Sequence, residues 1–399
     1  MTWSETVAQA VALRHWWHRH PELSWQEEKT AGRIRQTLSQ WQIPWRACAG
    51  QGTVARLAAD AQGEHLALRA DMDALPIQET AGLEYRSAEP GRMHACGHDG
   101  HMAALIGAAI WLKRHEGQLP GPVSLLFQPA EEGGHGAREM IRDAALEGVD
   151  CIFGWHNWPA LGLGQALCPD GPVMSGNGSF HIDVLGRGGH ASQPEATRDP
   201  LLAAAAITLN LQQIVSRRLP PQAAAVVSVA SLVAQGAVTV IPDRARLEGS
   251  IRLGAPQWRG PINELIVQIA QDTAAAYGVR AEVETRSRYE ATINHPNAAQ
   301  RYRQALQEEF GPNCQDSDLL LPLMASEDFS YYLNEIPGAF ALIGMAEPAA
   351  GAEGGGTCYQ TPCHSPDYRF NDRIIEPVMR LFCRLVGLGT GDGGQRTEG

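Results

Sequence analysis

"PVSLLFQPAEEGGHGAREMIRDAALEGVDCIFGWHN", residues 122–157, decides the fold class. Its apolar run over 123–127 closes on Gln-Pro and reads as a buried strand. The acidic, glycine-rich turn that follows leads into "GAREMIRDAAL", which reads as a helix, and "DCIFGWHN" reads as the next strand. Strand, polar turn, helix and strand together make the repeating unit of an α/β layer. The same alternation extends toward the N-terminus. "TVARLA" (53–58) and "HLALRADM" (65–72) read as strands, and "MAALIGAAIWLKRH" (102–115) as a helix apolar on nearly every face, hence buried. The expectation is an α/β domain, a mixed sheet flanked by helices.

The pattern changes after the glycine-rich stretch "GPVMSGNGS" (171–179). Strand "SFHIDVLGRG", helix "DPLLAAAAITLNLQQIVSRR", strands "AAAVVSVASLVA" and "ARLEGSIRLG", helix "INELIVQIAQDTAAAYG" and strand "RAEVETRSRY" follow in turn. That β-α-β-β-α-β order is ferredoxin-like and compact in its own right. From about Ala291 the chain returns to helix, strand ("AFALIGM") and a last helix ("RIIEPVMRLFCRLVGL"). A length of 399 residues favours more than one core. The organisation expected is a discontinuous catalytic domain, 1–176 plus 291–399, interrupted by an inserted domain over 177–290.

Composition narrows the function. A net charge of -12 argues against nucleic acid and anionic membrane surfaces as partners. The longest apolar stretches are broken by polar residues before they reach membrane-spanning length. The first residues lack a signal-peptide pattern, and the eight cysteines are scattered, so reduced thiols in a cytoplasmic protein are expected. The terminal run 387–399 has no apolar period and is expected to fray.

Polar clusters recur where strands end. Asp71 and Asp73 close one strand, Glu131 and Glu132 another, and His156 a third. "HACGHDGH" places Cys96, His98 and His101 in a turn directly ahead of the buried helix, whose amino terminus favours a thiolate. Strand carboxyl ends of an open α/β sheet converge on one crevice, so these groups can meet. Thiolate, imidazole and carboxylate together suit zinc, manganese, cobalt or nickel, and the set is large enough for two ions. Each piece has a plainer reading: a small buried hydrophobe for Cys96, a solvated face for the glutamates, a core histidine for His156, turn residues for the aspartates. All of them together require several coincidences. Two other functions fit the same residues: a hydrolase using Cys96 as nucleophile with His98 or His101, and a non-catalytic binding protein on the same fold.

"HRHPELSWQEEKTA", "RADMDALP", "HACGHDGHMAAL", "FQPAEEGGHGAREMI", "GWHNWP", "GRGGHASQP", "VIPDRARLEGSIR", "SEDFSYY" and "HSPDYRFND" occur in this order. The chain thereby resembles, from about Arg14 to Asp372, the dinuclear metallo-amidohydrolases within the carboxypeptidase-like metallopeptidases. That group includes hippurate hydrolase, indoleacetyl-amino-acid hydrolases and N-acetyl-diaminopimelate deacetylase. The resemblance implies two divalent ions held by Cys96, His98, Glu132, His156 and His364, with Glu131 as general base and Asp73 orienting a ligand. It implies hydrolysis of N-acyl, for instance N-acetyl, amino acids by a metal-activated hydroxide. The inserted domain would be a lid and dimerisation domain of a homodimer or larger homo-oligomer. His190 would steady the oxyanion, acting on the partner subunit's site, and Arg252 would bind the substrate carboxylate. The match departs at Thr239, near the substrate's carboxylate end, where the family pattern has Asn, and at Cys363, five residues after Cys358.

Overall fold

The computed structural model describes residues 1–348 and 357–389, so most of the terminal run expected to fray lies outside the described residues. The chain divides into two compact units. The first takes residues 1–171, 293–319 and those from 331 onward; the second takes 172–292 and 320–330. The second unit thus gains a segment that the sequence reading left in the catalytic domain. Hydrogen bonding explains this: Ser175 N–H donates to Leu323 O at 2.8 Å, and Leu323 N–H to Val173 O at 2.9 Å.

In the first unit an eight-stranded sheet runs in the order Trp45–Cys48, Gly52–Leu57, Val123–Gln128, Leu66–Asp71, Cys151–Gly162, Gly338–Pro348, Thr357–Cys358, with Ala166–Leu167 also paired to Gly338–Pro348. The four strands from Val123–Gln128 to Gly338–Pro348 are parallel, and those outside them antiparallel. Val123–Gln128 and Leu66–Asp71 are buried along their whole length, as parallel strands covered on both faces must be. Among the covering helices, Trp3–Arg19 opens with a capping box between Thr2 and Glu5. Helix His98–Arg114 is buried on nearly every side. A Cβ at Gly107 would come within 2.6 Å of Met379 Sδ, so glycine there lets Ile375–Leu385 pack close.

Two details differ from the sequence reading. His98 is the first residue of the helix rather than part of the turn ahead of it. His156 lies inside strand Cys151–Gly162 rather than past its end, because this strand stays paired with Gly338–Pro348 after its pairing with Leu66–Asp71 has stopped at Phe153.

The second unit is built on a four-stranded antiparallel sheet ordered Ala225–Val233, Arg244–Leu253, Gly176–Leu185, Arg280–Ser287. Along Gly176–Leu185, Phe180, Ile182 and Val184 are buried and the residues between them are not, the period of a sheet covered on one face. Helices Pro200–Leu211, capped by Asp199, and Arg259–Ala276 supply the cover through Ala203, Ile207, Ile262 and Ile266. Among the described residues no helix is long and apolar enough to cross a membrane.

Candidate metal centre

The parallel strands set the site. Leu66–Asp71 and Val123–Gln128 end on the same edge of the sheet and hand over to two loops. One loop carries Asp73; the other carries Glu131 and Glu132 and turns at Ala130, whose φ of 54 is unusual for a residue with a Cβ. Asp73 joins the loops. Its Oδ1 accepts the Glu131 N–H and its Oδ2 the Glu132 N–H, each at 3.0 Å, while Ser24 Oγ donates to Oδ2 at 2.6 Å.

Cys96 sits on the turn before helix His98–Arg114. Gly97 next to it has a φ of 94, and a Cβ there would meet Asn157 Oδ1 at 2.3 Å, so only glycine fits. His98 Nδ1 lies 2.9 Å from Asp73 O, and His156 Nδ1 lies 2.7 Å from Asn157 O. A carbonyl only accepts, so both rings donate from Nδ1 and turn Nε2 inward. His156 Nε2 is 3.3 Å from Cys96 Sγ.

Donor atoms of Cys96, His98 and His156 lie within 4.8 Å of one another, as do those of Cys96, Glu132 and His364, and those of His98, Glu131 and Glu132. His364 reaches this place from a distant loop with a φ of 67 and its N–H on Ala95 O at 2.8 Å. Its Nε2 stands 3.1 Å from Glu132 Oε1, yet that oxygen, buried, has no aligned hydrogen bond.

Electrostatics favour a cation here. Burial works against a charged His98, but Asp71, Asp73 and Glu132 overcome it and hold the imidazolium up to about 10. The extra proton would sit on Nε2, which is buried without a hydrogen-bond partner. A divalent ion in the proton's place would relieve both the crowded carboxylates and the orphaned nitrogen. The hydrogen bond with Cys363, then burial, then Glu132 push the Cys96 thiol well up. A protonated, buried thiol is a poor nucleophile, and its near imidazole is His156 rather than His98 or His101. Soft sulfur, imidazole and carboxylate donors arranged as overlapping triads fit two divalent transition-metal ions.

Behind the donors lies a hydrogen-bonded chain that the sequence reading missed. Arg69 Nη1 meets Asp71 Oδ2 and His101 Nδ1 meets Asp71 Oδ1, both at 2.6 Å. His101 Nε2 then meets Asn157 Oδ1 at 2.7 Å, and Asn157 Nδ2 donates to Tyr368 Oη at 2.8 Å. A second buried group ties Asp99 Oδ2 to Arg14 at 3.0 Å and to His18 at 2.8 Å. The one sequence signal for either was the clustering of polar residues in otherwise apolar runs.

The remaining expected site residues belong to the second unit. His190 lies on the short strand Gly189–His190, exposed, with Ser192 Oγ 2.7 Å from its Nδ1. Thr239 is its neighbour, accepting the Ala191 N–H at 2.9 Å. Arg252 stands on Arg244–Leu253 and donates to Ser326 Oγ at 2.6 Å; burial and Arg288 lower its pKa.

The chain is similar to known proteins over most of its length. IAA-amino acid hydrolase ILR1-like 4 of Arabidopsis thaliana is 36% identical over 369 residues, covering 92% of this chain and 82% of the relative. Hippurate hydrolase of Campylobacter jejuni is 35% identical over 378 residues, covering 94% of each. The crystal structure of the YXEP protein of Bacillus subtilis, a dinuclear metal binding peptidase, superposes with a TM-score of 0.82 at 31% identity, covering 96% of this chain and 98% of that one. The model of peptidase family M20/M25/M40 matches residues 67–387, and the chain belongs to that family.

Proposed function

We propose that this chain is a metal-dependent amidohydrolase that cleaves N-acyl amino acids into a carboxylic acid and a free amino acid. The observation that carries this reading is the convergence of Cys96, His98, Glu132, His156 and His364, with His98 Nε2 and Glu132 Oε1 left without hydrogen bonds. The names of the hippurate and IAA-amino acid hydrolases support the substrate class. Those five residues would hold two divalent ions, zinc, manganese, cobalt or nickel. Such a pair, when bound, polarises an amide carbonyl and makes water acidic enough to attack near neutral pH.

The protein's own groups handle the protons. Glu131, buried beside Glu132, takes a proton from the attacking water and delivers it to the departing nitrogen. Asp73 fixes the backbone on which that carboxylate stands. His190 donates to the oxyanion of a neighbouring subunit's substrate, and the Arg252 guanidinium, with Thr239, takes the substrate carboxylate. The second unit serves as lid and dimerisation domain. Exposed Leu202, Leu209, Val226, Leu232 and Val233 support a buried surface in a homodimer. Cysteines that are all unpaired suit the reducing cytoplasm.

The test is a panel of N-acyl amino acids, varied in acyl group and then in side chain, offered to chelated protein with each metal restored. Metal analysis of the active protein should find about two ions per chain. Activity in a metal-free preparation overturns the reading, and full inactivation of the metal-loaded protein by iodoacetamide revives the cysteine nucleophile.

A further inference from the structure

Cys363 takes no part in the reaction above, yet its loop is clamped against the metal centre. The His364 N–H donates to Ala95 O at 2.8 Å, which lays the 363–364 backbone beside Ala95 and Cys96. Cys363 Sγ lies 3.9 Å from Cys96 O and 3.8 Å from Asn157 Nδ2, so its sulfur stands against the Cys96 residue itself. The two sulfurs differ in access. Cys96 is buried, whereas Cys363 is partly open to solvent and within reach of a small oxidant.

We propose that Cys363 is a redox-modification site: hydrogen peroxide links it to Cys96 as a disulfide, which withdraws Cys96 from the metal centre. The chemistry balances. The Cys363 sulfur attacks one peroxide oxygen, the O–O bond breaks, and the released hydroxide takes up a proton to leave as water. The Cys96 sulfur, a thiolate when it serves as a metal ligand, then attacks the Cys363 sulfenic acid; an S–S bond replaces the S–O bond, and the departing oxygen takes up protons and leaves as a second water. Two thiols are oxidised and one peroxide is reduced to two waters. A disulfide sulfur no longer offers the thiolate that a zinc-type ion requires, so metal is released. Reduction by a dithiol restores the site. The release step rests on the reading of Cys96 as a ligand; the crosslink does not.

The experiment treats the full-length zinc-loaded protein with limiting peroxide, then follows zinc release with a chromogenic chelator and maps peptides without reduction. The expected result is a Cys96–Cys363 crosslinked peptide lighter by two hydrogen atoms, appearing in step with zinc release, both reversed by dithiothreitol and added zinc. Cys363→Ser should hold its zinc under conditions that empty the parent, and Cys358→Ser should behave as the parent. A crosslink between Cys358 and Cys363, oxidation of Cys96 without a crosslink, or equal zinc loss from Cys363→Ser overturns the proposal. A Cys96–Cys363 crosslink formed without zinc release overturns the ligand reading instead. Peptide mapping of the parent decides the crosslink even if the serine variant folds poorly.

Discussion

Asp73 Oδ1 accepts the backbone N–H of Glu131 at 3.0 Å, so the carboxylate proposed as general base stands on a loop held by another carboxylate. The same side chain accepts the Glu132 N–H, and its backbone carbonyl orients His98. Asp73 touches no substrate in this scheme; it positions three groups that act. Its replacement should therefore disturb metal binding before anything else. Asp73→Ala is expected to weaken metal affinity by about 10–100-fold, as loss of a residue that orients ligands does. Competition titration against a chromogenic chelator measures this. Unchanged affinity would remove Asp73 from the centre.

Glu131 next to it should behave differently. Glu131→Gln keeps the shape and removes the base, so kcat should fall by about 100- to 10,000-fold while metal content stays at the parent level. Activity and metal analysis on the same preparation separate the two effects. Turnover near that of the parent would exclude Glu131 as the proton carrier.

These residues were legible in the sequence to different degrees, for physical reasons. Asp73, Glu131 and Glu132 follow mostly apolar strands that are buried along their whole length, and a charge placed just after a buried run must be explained. Cys96 and His98 lie among polar neighbours just before an apolar helix, an equally strong contrast. His364 had no such contrast, since its loop is partly exposed and rich in turn residues, and only the family pattern pointed to it. Helices Trp3–Arg19 and Glu28–Gln40 were not read, because their buried residues are interspersed with charged and polar ones. Arg14 and His18 look like surface residues in sequence. In the fold they are buried against Asp99, which no local pattern announces.

Glu27 gives a pH dependence with a definite sign. It is buried with its Oε1 on the Ala130 N–H at 2.8 Å; burial and the charge of Asp73 push its pKa from an ordinary 4.5 up to about 7. An acid whose folded pKa is raised stabilises the fold below its unfolded pKa and loses that contribution as pH climbs through the folded one. Between about pH 4.5 and 7 the parent should therefore lose stability that Glu27→Gln keeps. At about 1.36 kcal/mol for each unit of pKa, the variant's advantage above pH 7 should be about 3 kcal/mol, vanishing near pH 4. Urea unfolding of chelated protein at both ends of the range checks this, chelated because bound cations would draw the carboxylate's pKa back down. Equal stability of the two proteins at pH 8 would contradict it.

His190 lies in the second unit, and the proposal that it serves a partner subunit's site can be tested without a structure of the dimer. His190→Ala alone should lower kcat by about 2.7–4 kcal/mol of barrier, the usual cost of one oxyanion donor, with metal content unchanged. Mixing decides whose site it serves. In a dimer of one Glu131→Gln chain and one His190→Ala chain, action across the interface leaves one site with both groups intact and the other with neither. Random pairing makes half the dimers mixed, so roughly a quarter of the parent activity should return when the two inactive variants are co-refolded. Action within one chain gives every site a single lesion and no recovery. The readout is amino-acid release before and after co-refolding, with native mass spectrometry used to verify that mixed dimers form. Recovery absent from verified mixed dimers would assign His190 to its own subunit or to no site.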